Sequence, residues 1–352
     1  MKRPSRIPSL IASLAVSLVA ASFVTANPVK YEGTESISKG KHLVFIANDH
    51  EYRGEESLPA LARILAKHHG FDCTVLFGLD ENGEIKAGDS HIPGLEALDS
   101  ADGMMMFLRF QALPDEQMKH IDAYLKRGLP VMGLRTSTHA FNYGKKQSAY
   151  LRYDYKGTDK DYTLGFGHQV LGQTWVGHYG KNHTQSTRIT IIDGKESHPI
   201  LRGVKDIHVQ CGGYNAEPQD DWNILTMAQP LMSMKADGEP DASKPPMASE
   251  WTREYAGADG KKGRVFTSLY GASEDIVNDG YRRMIINATY WMMSLENQIK
   301  ADAAIDFVGK YQPNTFRGGG YARGIKPEAY NGFESPIPAN NNVAAPKKRK
   351  NQ

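Results

Sequence analysis

The sequence predicts an α/β fold, an open and mostly parallel sheet with helices on both faces. Three observations predict it. Short apolar runs alternate with amphipathic helical patterns through the first half of the chain. The connectors between these runs are short, which favours parallel strands joined by crossover helices. Several apolar runs also end in polar residues, as strands do when their carboxyl ends form a ligand site.

Residues 1–26 are predicted to be a signal peptide. A basic start precedes a mostly apolar stretch from Leu10 to Val24, and the small residues ending at Ala26 suit cleavage. The stretch is short and broken by serines, which favours cleavage over an uncleaved anchor. We therefore expect an exported protein, periplasmic or secreted, with no membrane attachment once the leader is removed.

The main domain is predicted to span residues 40–298. Its first strand, Lys41 to Asp49, precedes a helix that is apolar on one face and that Gly70 ends. Further strands are expected at Phe71 to Leu79, Gly103 to Phe110 and Pro130 to Thr136, with a helix in LPDEQMKHIDAYLKRG before the last of them.

The second half is predicted to complete the sheet. Residues 142–179 are rich in Gly, Tyr and charge, and we interpret them as an insertion over the active end of the sheet. The strands expected next are STRITIID, WNILTMA, PMASEWTREY and GRVFTSLYG, followed by a closing helix from Tyr281 to Leu295. Residues 299–352 are predicted to form an extended arm and, from Ala339, a disordered tail.

Composition excludes several classes of protein. The 352 residues carry a net charge of +2 with both signs mixed, so no nucleic-acid partner is expected. Only Cys73 and Cys211 are present, which excludes a disulfide-stapled scaffold. The two could pair in an oxidising compartment, but Cys73 lies in an apolar run typical of a core.

Polar residues follow four of the predicted strands, and we expect them to share one pocket. The carboxyl ends of parallel strands meet at one edge of a sheet, where ligands bind. The insertion adds a fifth group. The candidates, in strand order, are His50, Glu51 and Arg53; Arg109 and Gln111; Arg135, Thr136 and His139; Tyr270 and Glu274; and, in the insertion, His178, Tyr179 and His183.

Catalytic roles are predicted for His50, Glu51, Arg135 and His139, and substrate binding for the other candidates. Each has a structural alternative: His50 and Glu51 could cap the next helix, and each arginine could form an internal ion pair with Glu51 or Glu274. The spacing of His178 and His183 does not match a metalloprotease helix. No cofactor and no metal ligand is predicted.

The segment PVMGLRTSTHAF, Pro130 to Phe141, predicts a strand, a tight turn and a helix. Comparable folds hold a nucleophile on such an elbow, but this one has no cysteine and no G-x-S-x-G pattern around Ser137. Acyl-enzyme chemistry through Ser137 or Thr136 is therefore disfavoured. Arginine at the elbow suits binding of an anionic oxygen better than attack on a carbonyl.

At these residues the chain resembles the trehalose-utilisation (ThuA-like) family, in an exported bacterial subgroup. The landmarks are NDHEYR, the elbow, HPILRGV, and EWTREYAGADGKKGRVFTSLYGASED before the closing helix. The chain departs from the family pattern at Arg135 and Tyr270, where many members have histidine. The resemblance implies the class I glutamine-amidotransferase-like fold, a flavodoxin-like three-layer sandwich, and a role in carbohydrate metabolism around disaccharides and their keto derivatives.

Three functional hypotheses follow. In the first, a sugar or keto-sugar binds at the strand ends, His50 or Glu51 moves a proton next to its carbonyl, and Arg109 and Arg135 hold the enolate oxygen. In the second, the chain binds sugar without turnover, or is a partner of an exported oxidoreductase, with insertion tyrosines as stacking faces. The third is metal-dependent hydrolysis through His178, His183 and Glu51.

Overall fold

The computed structural model describes residues 28–340. The predicted signal peptide and the predicted tail beyond Asn340 lie outside the described residues. Within this range no helix is both long enough and apolar enough to cross a membrane.

Ten strands of the described chain form one sheet, in the order β1-β3-β2-β4-β5-β10-β9-β8-β6-β7. Their bounds are β1 Val29–Tyr31, β2 His42–Asn48, β3 Asp72–Phe77, β4 Gly103–Leu108, β5 Val131–Leu134, β6 Thr187–Ile191, β7 Ile207–Val209, β8 Asn223–Pro230, β9 Met247–Ala256 and β10 Lys262–Ser268.

The five strands from β3 to β10 run parallel to one another and form the centre of the sheet. The outer strands on both sides pair antiparallel. This arrangement confirms the predicted α/β fold class, and it places the carboxyl ends of β2, β4, β5 and β10 side by side.

Helices cover both faces of the sheet because the central strands are apolar on both sides. In β2, Phe45 packs in the core shared with α1 (Gly54–His69) and α3 (Asp279–Met292). The next residue, Ile46, packs in the opposite core with α2 (Asp115–Lys126). Alternating side chains of a strand point to opposite faces, so one apolar run supplies both cores.

Several local predictions need correction. The segment after β5 is a short 3₁₀ turn, Arg135–His139, and not the start of a helix. Strand β1 pairs with β3 although it precedes residue 40, where the domain was expected to begin. Strand β7 was not predicted. Cys73 and Cys211, whose pairing the sequence left open, are both buried and free.

The C-terminal arm, residues 299–340, packs along α1 and β1. Its Tyr330 carbonyl accepts a hydrogen bond from the Tyr31 hydroxyl at 2.8 Å, and its Ser335 carbonyl accepts one from Arg63 Nη1 at 2.6 Å. Phe316, Ile325 and Ile337 of the arm are buried. The arm therefore packs against the domain and contributes side chains to its hydrophobic core.

Candidate functional site

The polar residues after the central strands do converge. The loop after β2 brings His50 and Glu51 to Arg109, which follows β4. The charges of Glu51, Arg109 and Arg135 all act on the pKa of His178, which places the ends of three strands and the insertion in one neighbourhood. Part of the expected cluster, His50, Glu51, Arg109 and His178, thus lies together at the carboxyl edge of the parallel strands.

An ion pair between Glu51 and Arg109 lies at the centre of this site. Glu51 Oε2 is 2.8 Å from Arg109 Nη1, with 15% and 20% of the two side chains exposed. This is the ion pair considered above as the structural alternative for Arg109. The pair still faces solvent, and Arg109 Nη2 makes no hydrogen bond to any residue between 28 and 340. A ligand oxygen can therefore reach it.

His50 completes this group. Its Nε2 lies 3.1 Å from Arg109 Nη1, and since arginine only donates hydrogen bonds, Nε2 accepts and Nδ1 carries the proton. Burial lowers the pKa of His50, and the positive charge of Arg109 lowers it further, although Asp49 and Glu51 oppose this. The ring is therefore neutral near pH 7. Nδ1 is buried beside Gly88 and has no partner within the described chain.

Asp49 fixes the loop that carries His50 and Glu51. Its Oδ1 accepts the main-chain N–H groups of Glu51, at 2.9 Å, and of Tyr52. Its Oδ2 accepts the hydroxyl of Thr136 at 2.9 Å, which joins the loop to the elbow after β5. Thr136 therefore positions Asp49 and does not offer its hydroxyl to a ligand, in contrast to its predicted binding role.

Arg135 occupies a closed position beneath the site. Its guanidinium donates from Nη1 to Leu269 O and from Nη2 to Gly212 O, both at 2.9 Å. The Tyr52 and Tyr214 rings lie 3.9 and 4.3 Å from its charge centre. Arg135 is fully buried. No donor of its terminal nitrogens faces the solvent, so this arrangement does not support the predicted contact of Arg135 with a substrate oxygen.

The elbow itself contains no activated nucleophile. Ser137 Oγ donates to Met106 O at 2.8 Å and accepts from Leu108 N at 3.3 Å. Both partners are main-chain groups of β4, so the hydroxyl ties the turn after β5 to the neighbouring strand β4. This agrees with the sequence argument against acyl-enzyme chemistry.

His139 lies in an aromatic enclosure. The rings of Phe110, Trp175, Tyr214 and Tyr155 are centred 4.8, 5.3, 5.9 and 6.2 Å from its ring. Burial lowers the pKa of His139 well below its usual value, with further lowering by the charge of Arg109. His139 is neutral and only 2% exposed, so it supports the wall of the site and does not act as an exposed acid or base, contrary to its predicted catalytic role.

The insertion contributes the outer wall. The His178 ring packs edge-on against Tyr214 at 5.2 Å and Trp175 at 5.9 Å, and burial lowers its pKa. The exposed His183 ring stacks on Phe316 at 4.7 Å. Tyr179 points away, with its hydroxyl on the Pro245 carbonyl. Between residues 28 and 340, no group of three His, Cys, Asp or Glu side chains could hold a metal ion.

The remaining candidates have structural partners. Gln111 Oε1 accepts from Asn48 Nδ2 at 2.7 Å, and its Nε2 donates to Arg109 O at 2.7 Å. Arg53 is fully buried in ion pairs with Glu55 and Glu56. Tyr270 is also buried, and Glu274 accepts from the arm at Thr315 Oγ1 and Phe316 N. These four side chains hold the site in place and do not line it, contrary to their predicted binding role.

Five residues of the site were not predicted: Asp49, Tyr52, Asn182, Tyr214 and Phe316. Asn182 Nδ2 donates to the Tyr52 hydroxyl at 2.9 Å, and its Oδ1 accepts from Gly212 N at 3.0 Å. Asp49 directly precedes His50 at the end of β2, so its position was a usable signal. Tyr52 lies in the same loop and Asn182 directly precedes His183, whereas Tyr214 and Phe316 reach the site from distant segments that nothing local in the sequence marks.

The site is distinct from four surface cavities of about 410 to 990 Å³. The one of about 990 Å³ lies between the start of α3 and residues 301–306 of the arm. None of these four is lined by His50, Glu51 or Arg109.

The chain is similar to ThuA-like proteins of solved structure. One from Bacteroides uniformis is 12% identical over 77% of this chain and 98% of its own, with a TM-score of 0.45. Another from Parabacteroides merdae is 14% identical over 80% and 98%, with a TM-score of 0.40. A cytoplasmic protein from Salmonella typhimurium is 10% identical over 72% and 98%, with a TM-score of 0.36.

No protein-family model and no curated protein matches the chain. Identities and TM-scores this low carry no function, so the function is argued from the residues of the site.

Proposed function

We propose that the protein binds a sugar or keto-sugar at the strand-end site and transfers a proton at the carbon next to its carbonyl. The observation that carries this proposal is the solvent-facing pair of Glu51 and Arg109, a carboxylate 2.8 Å from a guanidinium. A general base beside a fixed cation is the arrangement that enolate formation requires. The ThuA-like sequence motifs support a carbohydrate as the ligand.

The step assigns one role to each partner. Glu51 takes the proton from the carbon next to the carbonyl, and the electron pair of that C–H bond moves into an enolate. The negative charge develops on the carbonyl oxygen, which Arg109 Nη2 can reach. Return of a proton from Glu51 to the same carbon restores the ketone, and in deuterated water a deuteron takes its place. Neutral His50 keeps Arg109 oriented through its Nε2.

Aromatic rings beside the pair supply the binding surface. Phe110 lies under the Arg109 guanidinium at 5.0 Å, and Trp175 and His178 form the partly exposed wall next to it. Sugars pack their C–H faces on such rings while their hydroxyls bind polar groups. Trp175 Nε1 is buried without a partner among the described residues.

The experiment follows proton exchange from a keto-disaccharide in deuterated water by NMR. Glu51→Gln removes the base and should lower the exchange rate by about 10²- to 10⁴-fold. Arg109→Met should lower it as well, because the enolate loses its cation. Glu254→Gln, an exposed carboxylate of β9 that lies opposite Arg264 and so at the other end of β10 from the strand-end site, serves as the control and should leave the rate unchanged. Equal rates in wild type and Glu51→Gln would contradict the proposal.

A second candidate, sugar binding without turnover, is favoured by Arg135. Its guanidinium is fully buried and donates to the carbonyls of Leu269 and Gly212, so one of the two cations expected to stabilise an enolate does not reach the ligand. A binder raises the melting temperature with sugar, by linkage of binding to folding, but shows no exchange. The same two measurements therefore separate the candidates. Export, and a partner oxidoreductase, stay predictions from the sequence.

A further inference from the structure

The C-terminal arm passes over the candidate site and forms hydrogen bonds there to the main chain of the loop after β2. The N–H of Arg317 donates to the carbonyl of Glu51 at 2.8 Å, and the N–H of Gly319 donates to the carbonyl of His50 at 2.7 Å. The two residues of the proposed base loop are thus held by a segment more than 260 positions later in the chain. Main-chain groups need such partners when they are withdrawn from water.

Asn314 anchors the arm to the other end of the same loop. Its main-chain N–H and its side-chain Nδ2 both donate to the Glu56 carboxylate at 2.9 Å. Glu56 is fully buried and also binds Arg53, the residue that ends the loop. The Asn314 carbonyl accepts the hydroxyl of Ser273 at 2.9 Å, which adds the loop after β10.

Phe316 joins the arm to the aromatic part of the site. Its ring is 1% exposed and lies 5.1 Å from the ring of Tyr52, which stacks on Arg135. It also stacks with the exposed ring of His183, whose centre is 4.7 Å away. Between Asn314 and Gly319 the arm therefore contacts the loop after β2, the loop after β10 and the insertion.

We propose that residues 314–319 are a positioning element of the site, with Asn314 and Phe316 as its positioning residues. They hold the main chain of His50 and Glu51 so that the Glu51 carboxylate stays on Arg109. Catalytic groups must be held to about 0.5 Å, and loops achieve this only through supporting contacts. The proposal deepens the proposed function, since it names what orients the base.

The test compares Asn314→Ala with Ser335→Ala. Ser335 belongs to the same arm, but its hydroxyl binds Arg63 and Asn331, away from the site. Asn314→Ala should lower the maximal exchange rate at saturating keto-sugar at least 10-fold, with a smaller effect on KM. Ser335→Ala should change neither. Equal effects of the two substitutions on the maximal rate would overturn the proposal.

A second readout does not depend on sugar chemistry. NMR titration of His50 reports how tightly its loop is packed, because burial is the main cause of its low pKa. Asn314→Ala should move the His50 pKa upward toward 6.5, whereas Ser335→Ala should leave it in place. If wild type shows no exchange, the proposed function fails, and this titration still decides the role of the arm.

Phe316→Leu covers the case in which Asn314→Ala does not fold. Leucine keeps the position apolar but removes the ring from Tyr52 and His183. The same upward movement of the His50 pKa is expected. An unchanged titration in a folded Phe316→Leu protein would overturn the positioning role of Phe316.

Discussion

Glu55 offers the sharpest test of the energetics of this fold. It lies in the first turn of α1, fully buried, with Oε1 3.4 Å from Arg53 Nη1 and within 3.2 Å of the Ala322 N–H. Its Oε2 has no partner among the described residues. Burial raises the pKa of Glu55 from 4.5 to about 7, although the charge of Arg53 opposes this.

The direction of the pH effect follows from proton binding. Between pH 4.5 and about 7 the folded protein keeps the Glu55 proton, whereas the unfolded chain releases it. The contribution of Glu55 protonation to the free energy of unfolding is therefore fully present below pH 4.5 and is lost as the pH rises to about 7. Since one pKa unit corresponds to about 1.4 kcal/mol, the loss amounts to about 3 kcal/mol.

The assay is urea unfolding of wild type and Glu55→Gln at pH 4.5, 6 and 8. Glutamine keeps the shape but cannot ionise, so its own packing cost is the same at every pH. The stability of the variant relative to wild type should rise by about 3 kcal/mol from pH 4.5 to 8. Glu96→Gln, an exposed carboxylate, should show no such rise. If the free energies of unfolding of wild type and Glu55→Gln change with pH by the same amount, the raised pKa of Glu55 is refuted.

Three further outcomes are expected. Burial lowers the pKa of His69 to about 4, so about 3 kcal/mol of stability should be lost as the pH falls from 6.5 to 4; NMR titration checks that value. Ser137→Ala should cost about 1 kcal/mol in urea unfolding, because Leu108 N loses its acceptor, while proton exchange stays within two-fold of wild type. Gly133→Ala should lower the free energy of unfolding by about 1–3 kcal/mol, because its Cβ would lie 2.4 Å from the Leu171 side chain.

The central strands could be predicted because their signal is local. Runs such as GMMMFL in β4 are apolar at every position, which is the pattern of a strand buried on both faces. The convergence of Glu51 and Arg109 followed from the same reasoning, since parallel neighbours end at one edge. Strands β1 and β7, of three residues each, are too short to give a periodic signal.

The roles of the two buried site residues could not be predicted, because their partners are distant in sequence. Arg135 was expected to face a ligand, but carbonyls 77 and 134 positions away accept its hydrogen bonds. His139 was expected to act as a catalytic group, but rings from the insertion and from Phe110 enclose it. A charged or titratable residue directly after a strand predicts a site at the strand ends. Whether that residue is exposed to a ligand depends on long-range contacts, which cannot be inferred from the local sequence.

Backbone conformation gives an independent reason to regard the strand ends as functional. Non-glycine residues at positive φ cost of order 1 kcal/mol each, so a chain that needs only to fold has little use for them. Eight occur in the described chain, and half of them border this one site: Arg53, Phe110, Arg135 and His183. Such conformations persist only where surrounding contacts enforce them, and the carbonyls on Arg135, the carboxylates on Arg53 and the Phe316 ring on His183 do so here. Half of these strained residues therefore lie where the polar side chains meet, and the fold keeps those side chains in fixed positions. Ligand binding and proton transfer both require side chains in fixed positions.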